Sequence, residues 1–202
     1  MSRILDAILK LESYLARERP DFFNALLPGL TIPEIDSLVS RFPFRLPVEV
    51  YDLYQWRNGM GIEVIDNLSF RFYPYSSFFS PLEFCVRDYE MLMEVKDSAD
   101  LDDEQLNSRW FPLISCNQTF SLSVGHPIQQ PTAEILYLWT DAEWAVDPSY
   151  ESLTAQLLTI TECLEEGVYY LDEEGDFQSK PTREEEIHKK YNPSDKYTIR
   201  NV

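Results

Sequence analysis

Three short apolar runs lie between residues 111 and 139, each of strand length and each followed by polar or turn residues. The runs are Phe111 to Ser115, Phe120 to Val124 and Ile135 to Trp139, and Gly125 to Thr132 is interpreted as the turn before the last of them. A fourth run, Glu143 to Val146, ends at Asp147-Pro148. Runs of this length and spacing are typical of strands with short connections, so they predict an antiparallel meander.

Helical periodicity dominates the first 60 residues, where three helices are predicted. Each has a start or stop residue of the expected type: a threonine cap, a proline in the first turn, a proline just after the end, or a glycine at the end. The predicted helices run from the N-terminus to before Pro20, from Thr31 to before Pro43, and from Pro47 to Asn58-Gly59, with an apolar connector at Phe22 to Leu30. Alternating residues then predict a strand at Phe70 to Tyr75.

Two more helices are predicted around the meander. One begins at Ser80-Pro81 and extends to about Val95, and the other begins at Ser149 or Ser152 and extends to Gly167. A polar segment from Asp97 to Asn107 is interpreted as a solvated loop. Together these elements predict an α+β fold in which helices pack against a mostly antiparallel sheet of about five to six strands.

The 202 residues suit one domain with a hydrophobic core. We expect an N-terminal amphipathic helix packed on the domain at 1–28, the α+β domain at 29–170, and an acidic, charged extension at 171–202. The extension contains the acidic segment Asp172 to Asp176. It also contains Thr182-Arg-Glu-Glu185, a capping-box pattern that predicts a short helix ending at Asn192-Pro193.

The net charge of −18 and the isoelectric point near 4.4 argue against nucleic acid or an anionic membrane as a partner and favour a basic protein. We expect a monomer or a weak dimer. The three cysteines form no C-x-x-C pair, and the sequence contains neither a run of 18 apolar residues nor the continuous apolar stretch of a signal peptide. These features predict a cytoplasmic protein.

Few residues suggest a catalytic, metal-binding or nucleotide-binding role. Cys116 and His126 could meet as a dyad across adjacent strands, although a buried cysteine is more often a small apolar residue. The cysteines and the two histidines lack the spacing of a zinc site, and the acidic segment Asp172 to Asp176 does not match the EF-hand order. Glycine-rich nucleotide-binding loops are absent from the sequence. We therefore expect no catalytic residues, metal or cofactor.

Acidic segments are the candidate binding residues. They lie along Asp97 to Glu104, Asp141 to Asp147 and Asp172 to Asp176. The residues selected as partner contacts are Asp102, Asp103, Glu104, Asp141, Glu143, Trp144 and Asp147. An alternative for each segment is a solubilising loop, and an alternative for the tryptophans Trp139 and Trp144 is a place in the core.

The order of several motifs resembles the SUKH superfamily, which includes fungal regulators of cell-wall synthesis and bacterial toxin-immunity proteins. The matching pieces are Gly29-Leu-Thr-Ile-Pro-Glu-Ile-Asp36, Leu46-Pro-Val-Glu-Val-Tyr-Asp-Leu-Tyr54, Arg57-Asn-Gly-Met-Gly61, Trp110-Phe-Pro-Leu-Ile114 and the helix predicted at 149–165. They cover roughly residues 29 to 166.

The resemblance implies a protein-binding module without catalytic activity. The leading hypothesis is an immunity-type inhibitor that occludes a basic toxin or related partner through an acidic face. An alternative is a scaffold or regulator in cell-envelope synthesis or stress signalling, with the C-terminal helix as a docking segment. A third hypothesis, from a different class, is a hydrolase that uses Cys116 and His126.

Overall fold

The computed structural model describes residues 3–61, 78–116, 119–140, 144–173 and 177–199, which contain seven helices and nine strands. The helices are α1 (Arg3–Glu18), α2 (Pro20–Ala25), α3 (Ile32–Val39), α4 (Val48–Trp56), α5 (Leu82–Ser98), α6 (Leu153–Glu165) and α7 (Pro181–Tyr191). The strands are β1 (Leu26–Pro28), β2 (Arg57–Met60), β3 (Phe78–Phe79), β4 (Trp110–Cys116), β5 (Thr119–Val124), β6 (Ile135–Trp139), β7 (Ala145–Tyr150), β8 (Tyr170–Leu171) and β9 (Phe177–Gln178). This mixture confirms the predicted α+β class.

The largest sheet of the described residues is an antiparallel meander in the order β3-β4-β5-β6-β7. Four of its strands have five to seven residues, and β3 adds only two at one edge. The meander is therefore confirmed. The predicted five to six strands exceed the four strands of ordinary length in this sheet. The strand β7 continues through Pro148, where the sequence predicted an end, because an edge strand tolerates proline.

The two faces of this sheet pack against different groups of helices. On one face, Ile135 and Tyr137 of β6 join the main core with apolar residues of α1, α4 and α6. On the other face, Leu136 and Leu138 join a smaller core. That smaller core also contains Leu92 of α5 and Leu106, so α5 contributes to both cores.

The segment from Asp97 to Asn107 is not the fully solvated loop that the sequence predicted. Its acidic residues are exposed, but Leu106 has an exposed fraction of 0% and lies in the smaller core. The Lys96 ammonium also donates to the Leu106 carbonyl at 2.6 Å. One buried leucine thus fixes an otherwise polar loop to the sheet.

Local start signals give most of the helix boundaries. The Thr31 capping box is present, Pro47 is the N-cap of α4, and the Ser152 hydroxyl accepts the Ala155 N–H at the start of α6. Other boundaries differ from the prediction. The connector predicted at Phe22 to Leu30 contains most of α2 (Pro20–Ala25) and all of β1 (Leu26–Pro28). The helix α7 begins at Pro181, which suits a first helical position, so Thr182 does not cap it. The strand predicted at Phe70 to Tyr75 lies outside the described residues.

The C-terminal segment is packed into the same body. The helix α7 lies against α6, and its residues Ile187 and His188 are buried. Asn192 Oδ1 accepts the Glu151 N–H at 2.9 Å, and the Tyr169 hydroxyl donates to Glu184 at 2.7 Å. Removing the segment would therefore expose apolar surface and leave buried polar groups without partners.

Protonation of His188 is expected to destabilise this packing. Its Nε2 lies 2.6 Å from the Ser149 carbonyl oxygen, so the neutral ring donates there, and burial lowers its pKa from 6.5. A depressed folded-state pKa leaves stability intact above about pH 6.5 and reduces it as the pH falls below that value. Urea unfolding from about pH 7.5 to about pH 5.5 should show a smaller loss for the His188→Gln variant than for the wild type. Equal losses would contradict the assignment.

Candidate partner-binding surface

A buried carboxylate joins α4 to distant parts of the chain. Glu49, in the first turn of α4, has an exposed fraction of only 2%. Its Oε1 accepts the N–H groups of Ala133 at 3.1 Å and Leu153 at 3.0 Å. Its Oε2 accepts the N–H and the hydroxyl of Thr154, both at 3.1 Å. Glu49 therefore caps the N-terminus of α6, where the helix dipole favours a negative charge.

Burial raises the pKa of Glu49, and the four hydrogen bonds to its carboxylate oppose that rise. Three of the four donors belong to Leu153 and Thr154 of α6, and the fourth belongs to Ala133 in the connection between β5 and β6. The carboxylate is thus occupied by backbone and hydroxyl donors of the protein itself, and its role is structural.

The Asn58-Gly59 pair makes a second connection of the same kind. Asn58 Oδ1 accepts the Leu82 N–H at 2.9 Å, and Asn58 Nδ2 donates to Glu83 Oε2 at 3.1 Å, so Asn58 caps α5. The prediction that the pair ends α4 was wrong, because α4 ends at Trp56 and the pair lies in β2. Two polar residues of the motifs that carry the family resemblance therefore cap later helices.

A rigid loop lies beside the start of α4. Residues 126–131 pair with residues 45–49 through main-chain bonds: Arg45 and His126 exchange bonds of 2.7 and 3.1 Å, and the Val48 N–H donates to the Gln130 carbonyl at 2.9 Å. The Gln129 side-chain amide also donates to the Leu46 carbonyl at 3.1 Å. Despite these anchors, Ile128 has an exposed fraction of 74%. The loop thus holds a large apolar side chain in solvent.

This loop forms one wall of an open groove of about 600 Å³, which we call the α3–α4 groove. The groove is lined by Asp36, Ser40, Arg45, Tyr51, Pro127, Ile128 and Gln129. The Tyr51 hydroxyl donates to Asp36 Oδ1 at 2.8 Å, and burial together with this bond raises the pKa of Tyr51 to about 12. Tyr51 therefore stays a neutral donor that fixes the Asp36 carboxylate.

The end of α5 and the following turn form a second feature, which we call the acidic lobe and define as residues 94–104. Its six exposed carboxylates belong to Glu94, Asp97, Asp100, Asp102, Asp103 and Glu104. The only cation in the range is Lys96, which pairs with Asp103 and lowers the pKa of that carboxyl. The lobe also lies at the C-terminal, negative end of the α5 dipole.

The lobe has an ordered turn. Asp102 Oδ1 accepts the N–H groups of Glu104 at 2.9 Å and Gln105 at 3.0 Å. Asp102 and Asp103 therefore hold the shape of the turn. The carboxylates of Glu94, Asp97, Asp100 and Glu104 are exposed and supply charge to the surface.

The structure brings together only some of the residues predicted as partner contacts. Asp102, Asp103 and Glu104 lie in the acidic lobe, and Trp144 packs on the smaller core that also holds Leu106. Asp147 pairs with Tyr137 in the neighbouring strand, and Tyr137 belongs to the main core, so Asp147 lies on the opposite face of the sheet. Asp141 and Glu143 lie outside the described residues.

The register separates the two residues of the suggested dyad. Cys116 pairs with Thr119 at one end of the β4–β5 hairpin, whereas His126 follows Val124, which pairs with Trp110 at the other end. At the usual rise per residue, the length of β5 separates the two backbones by roughly 17 Å. The other cysteines, Cys85 and Cys163, are buried, and burial raises the pKa of each thiol to about 12.

The described residues contain no group of three His, Cys, Asp or Glu residues that could hold a metal ion, and none of their helices has the length and hydropathy of a bilayer span. The sequence patterns did not indicate a binding role for Ile128, Asp36 or Tyr51.

The chain was compared with models of protein families and with curated proteins. No family model and no curated protein matches it.

Proposed function

We propose that this protein is a non-catalytic binding module for a basic protein partner. Its resemblance to the SUKH superfamily favours an immunity-type inhibitor that works in the cytoplasm and occludes the active surface of a toxin. The observation that carries the proposal is the acidic lobe, in which the end of α5 and an ordered turn present six exposed carboxylates and one paired lysine. Such a surface attracts a positively charged surface.

The expected mechanism is electrostatic steering followed by occlusion. The lobe raises the rate of encounter with a basic partner, and the rest of the interface determines how long the complex lasts. Because exposed charges are screened by salt, the association rate should depend strongly on ionic strength. A net charge of −18 also opposes association with acidic proteins.

The alternative function, a scaffold that docks through the C-terminal helix, has less support. The helix α7 is packed on α6, and its ion pairs join it to the body: Arg183 to Glu166 at 2.8 Å and Lys190 to Glu162. A docking segment would need surface that α7 uses inside the protein. Deletion of the C-terminal segment is also a poor test, because it removes core residues.

The test compares two charge-neutralised variants that carry equal net charge. The lobe variant has Glu94→Gln, Asp97→Asn, Asp100→Asn and Glu104→Gln. The control variant has Asp6→Asn, Glu165→Gln, Glu173→Gln and Asp195→Asn, all at exposed positions. Asp102 and Asp103 are kept because they hold the turn.

Each variant and the wild type are used to capture proteins from native lysate at low and high salt, and the retained proteins are identified by mass spectrometry. We expect the wild type and the control variant to retain the same basic protein at low salt. The lobe variant should associate with the purified basic protein about tenfold more slowly at low salt, and the difference should shrink at high salt. Retention of no basic protein, or equal rates for both variants, would refute the proposal.

A further inference from the structure

We infer that the α3–α4 groove is the site where the basic partner inserts an apolar side chain flanked by a lysine or arginine. This inference rests on the proposed function and names a second part of the same interface. Ile128 has the highest exposed fraction among the exposed large apolar residues of the described chain. An apolar side chain in solvent contributes little to folding, whereas its burial by a partner contributes to binding.

The loop that carries Ile128 is fixed at several points. Pro127 and Pro131 lie within the loop, and the loop is bonded to residues 45–49 at Arg45, Leu46 and Val48. A loop already fixed in one conformation loses little entropy when a partner binds. Residues that dominate binding energies lie near the centre of an interface, where the surrounding contacts exclude water from them.

Asp36 can pair with a cationic side chain next to the inserted one. Its carboxylate is exposed, and the Tyr51 hydroxyl donates to Oδ1 at 2.8 Å, so a partner lysine or arginine can pair with Oδ2. Arg45, also in the groove, can donate to a partner carbonyl. A second copy of this chain is a poor occupant because both copies carry a charge of −18.

The α3–α4 groove is continuous with the acidic lobe. Ser40 lines the groove, and the next residue, Arg41, pairs with Glu90 of α5 at 2.9 Å. From Glu90, residues Glu94 and Asp97 follow on the same face of α5 and lead to the lobe within about 10 Å. An interface of ordinary size, about 800 Å² on each partner, covers both features.

The probe for this inference is a random peptide library displayed on phage and selected on the wild-type protein. Selected peptides should share an aliphatic or aromatic residue close to a lysine or arginine. Their affinity should fall at least about tenfold for Ile128→Ser and also fall for Asp36→Asn. Leu9→Ser, which changes an exposed leucine of α1, is the matched control and should leave the affinity unchanged.

Failure of this inference differs from failure of the proposed function. If selection gives no peptides, or peptides whose affinity is the same for Ile128→Ser and the wild type, the groove is not the docking site, even where capture shows a basic partner that depends on the lobe. If the peptides depend on Ile128 but share no basic residue, the assigned partner chemistry is wrong. Peptides of the expected kind, without any captured basic protein, support the groove and contradict the proposed function.

Discussion

Replacing Glu49 with glutamine should lower the free energy of unfolding by about 3–5 kcal/mol, a large part of the stability of an ordinary domain. The side-chain amide would place an N–H₂ group where the carboxylate accepts two of its four hydrogen bonds. Buried donors at the start of α6 would then lack an acceptor. Denaturant unfolding at neutral pH, monitored by tryptophan fluorescence and by far-ultraviolet circular dichroism, measures the change.

Two variants separate the Glu49 contacts from a general effect of lost charge. Asp52→Asn removes a partly exposed carboxylate from the same helix and should change the stability by less than about 0.5 kcal/mol. Thr154→Val removes only the hydroxyl donor and should cost about 1 kcal/mol. If Glu49→Gln were as stable as Asp52→Asn, the carboxylate would not stabilise the start of α6.

The second large effect is expected at Gly59. Its φ is +68°, and an added Cβ would lie 2.4 Å from the carbonyl carbon of Ser80 and 2.5 Å from the nitrogen of Pro81. Both are backbone atoms that cannot move aside without displacing the start of α5. Gly59→Ala should therefore destabilise the protein by about 3 kcal/mol through backbone strain and steric overlap together.

Gly167 provides the matched control for Gly59. It ends α6 with a similar φ of +61°, but an added Cβ would have no atom within 4 Å. Gly167→Ala thus measures the cost of the left-handed conformation alone, about 1 kcal/mol. The same unfolding experiment compares the two variants, and equal destabilisation would show that the close approach of β2 to the start of α5 contributes nothing.

The sequence predicts elements whose signals are local. The caps at Thr31, Pro47 and Ser152 act within one helical turn, and the strands of the meander follow each other along the chain. Asn58 was misinterpreted because its acceptor and donor contacts begin 24 residues away. The donors to Glu49 are 84 to 105 residues away, beyond any local pattern.

The candidate site was predicted only in part, because some of its features also depend on contacts between residues far apart in the chain. The acidic lobe is visible as a run of carboxylates in the sequence, but the faces on which Val146 and Asp147 lie depend on where β7 begins. Alternation along a strand sends Val146 and Asp147 to opposite faces. In the sequence, Ile128 is one apolar residue in a turn that contains Pro127 and Pro131. Its fixed position depends on pairing with residues 45–49.

The late position of α6 in the chain affects how the protein is made. During translation, α1 and α4 leave the ribosome before the helix against which both pack, and the interval for α1 is on the order of ten seconds. Throughout that time, the apolar face of α1, formed by Ile4, Ile8, Leu11 and Leu15, can pack against α2 and α4 but lacks its contacts with α6. A nascent chain that stops before residue 153 therefore exposes part of the apolar face of α1. Such a fragment is expected to be a substrate for chaperones or proteases.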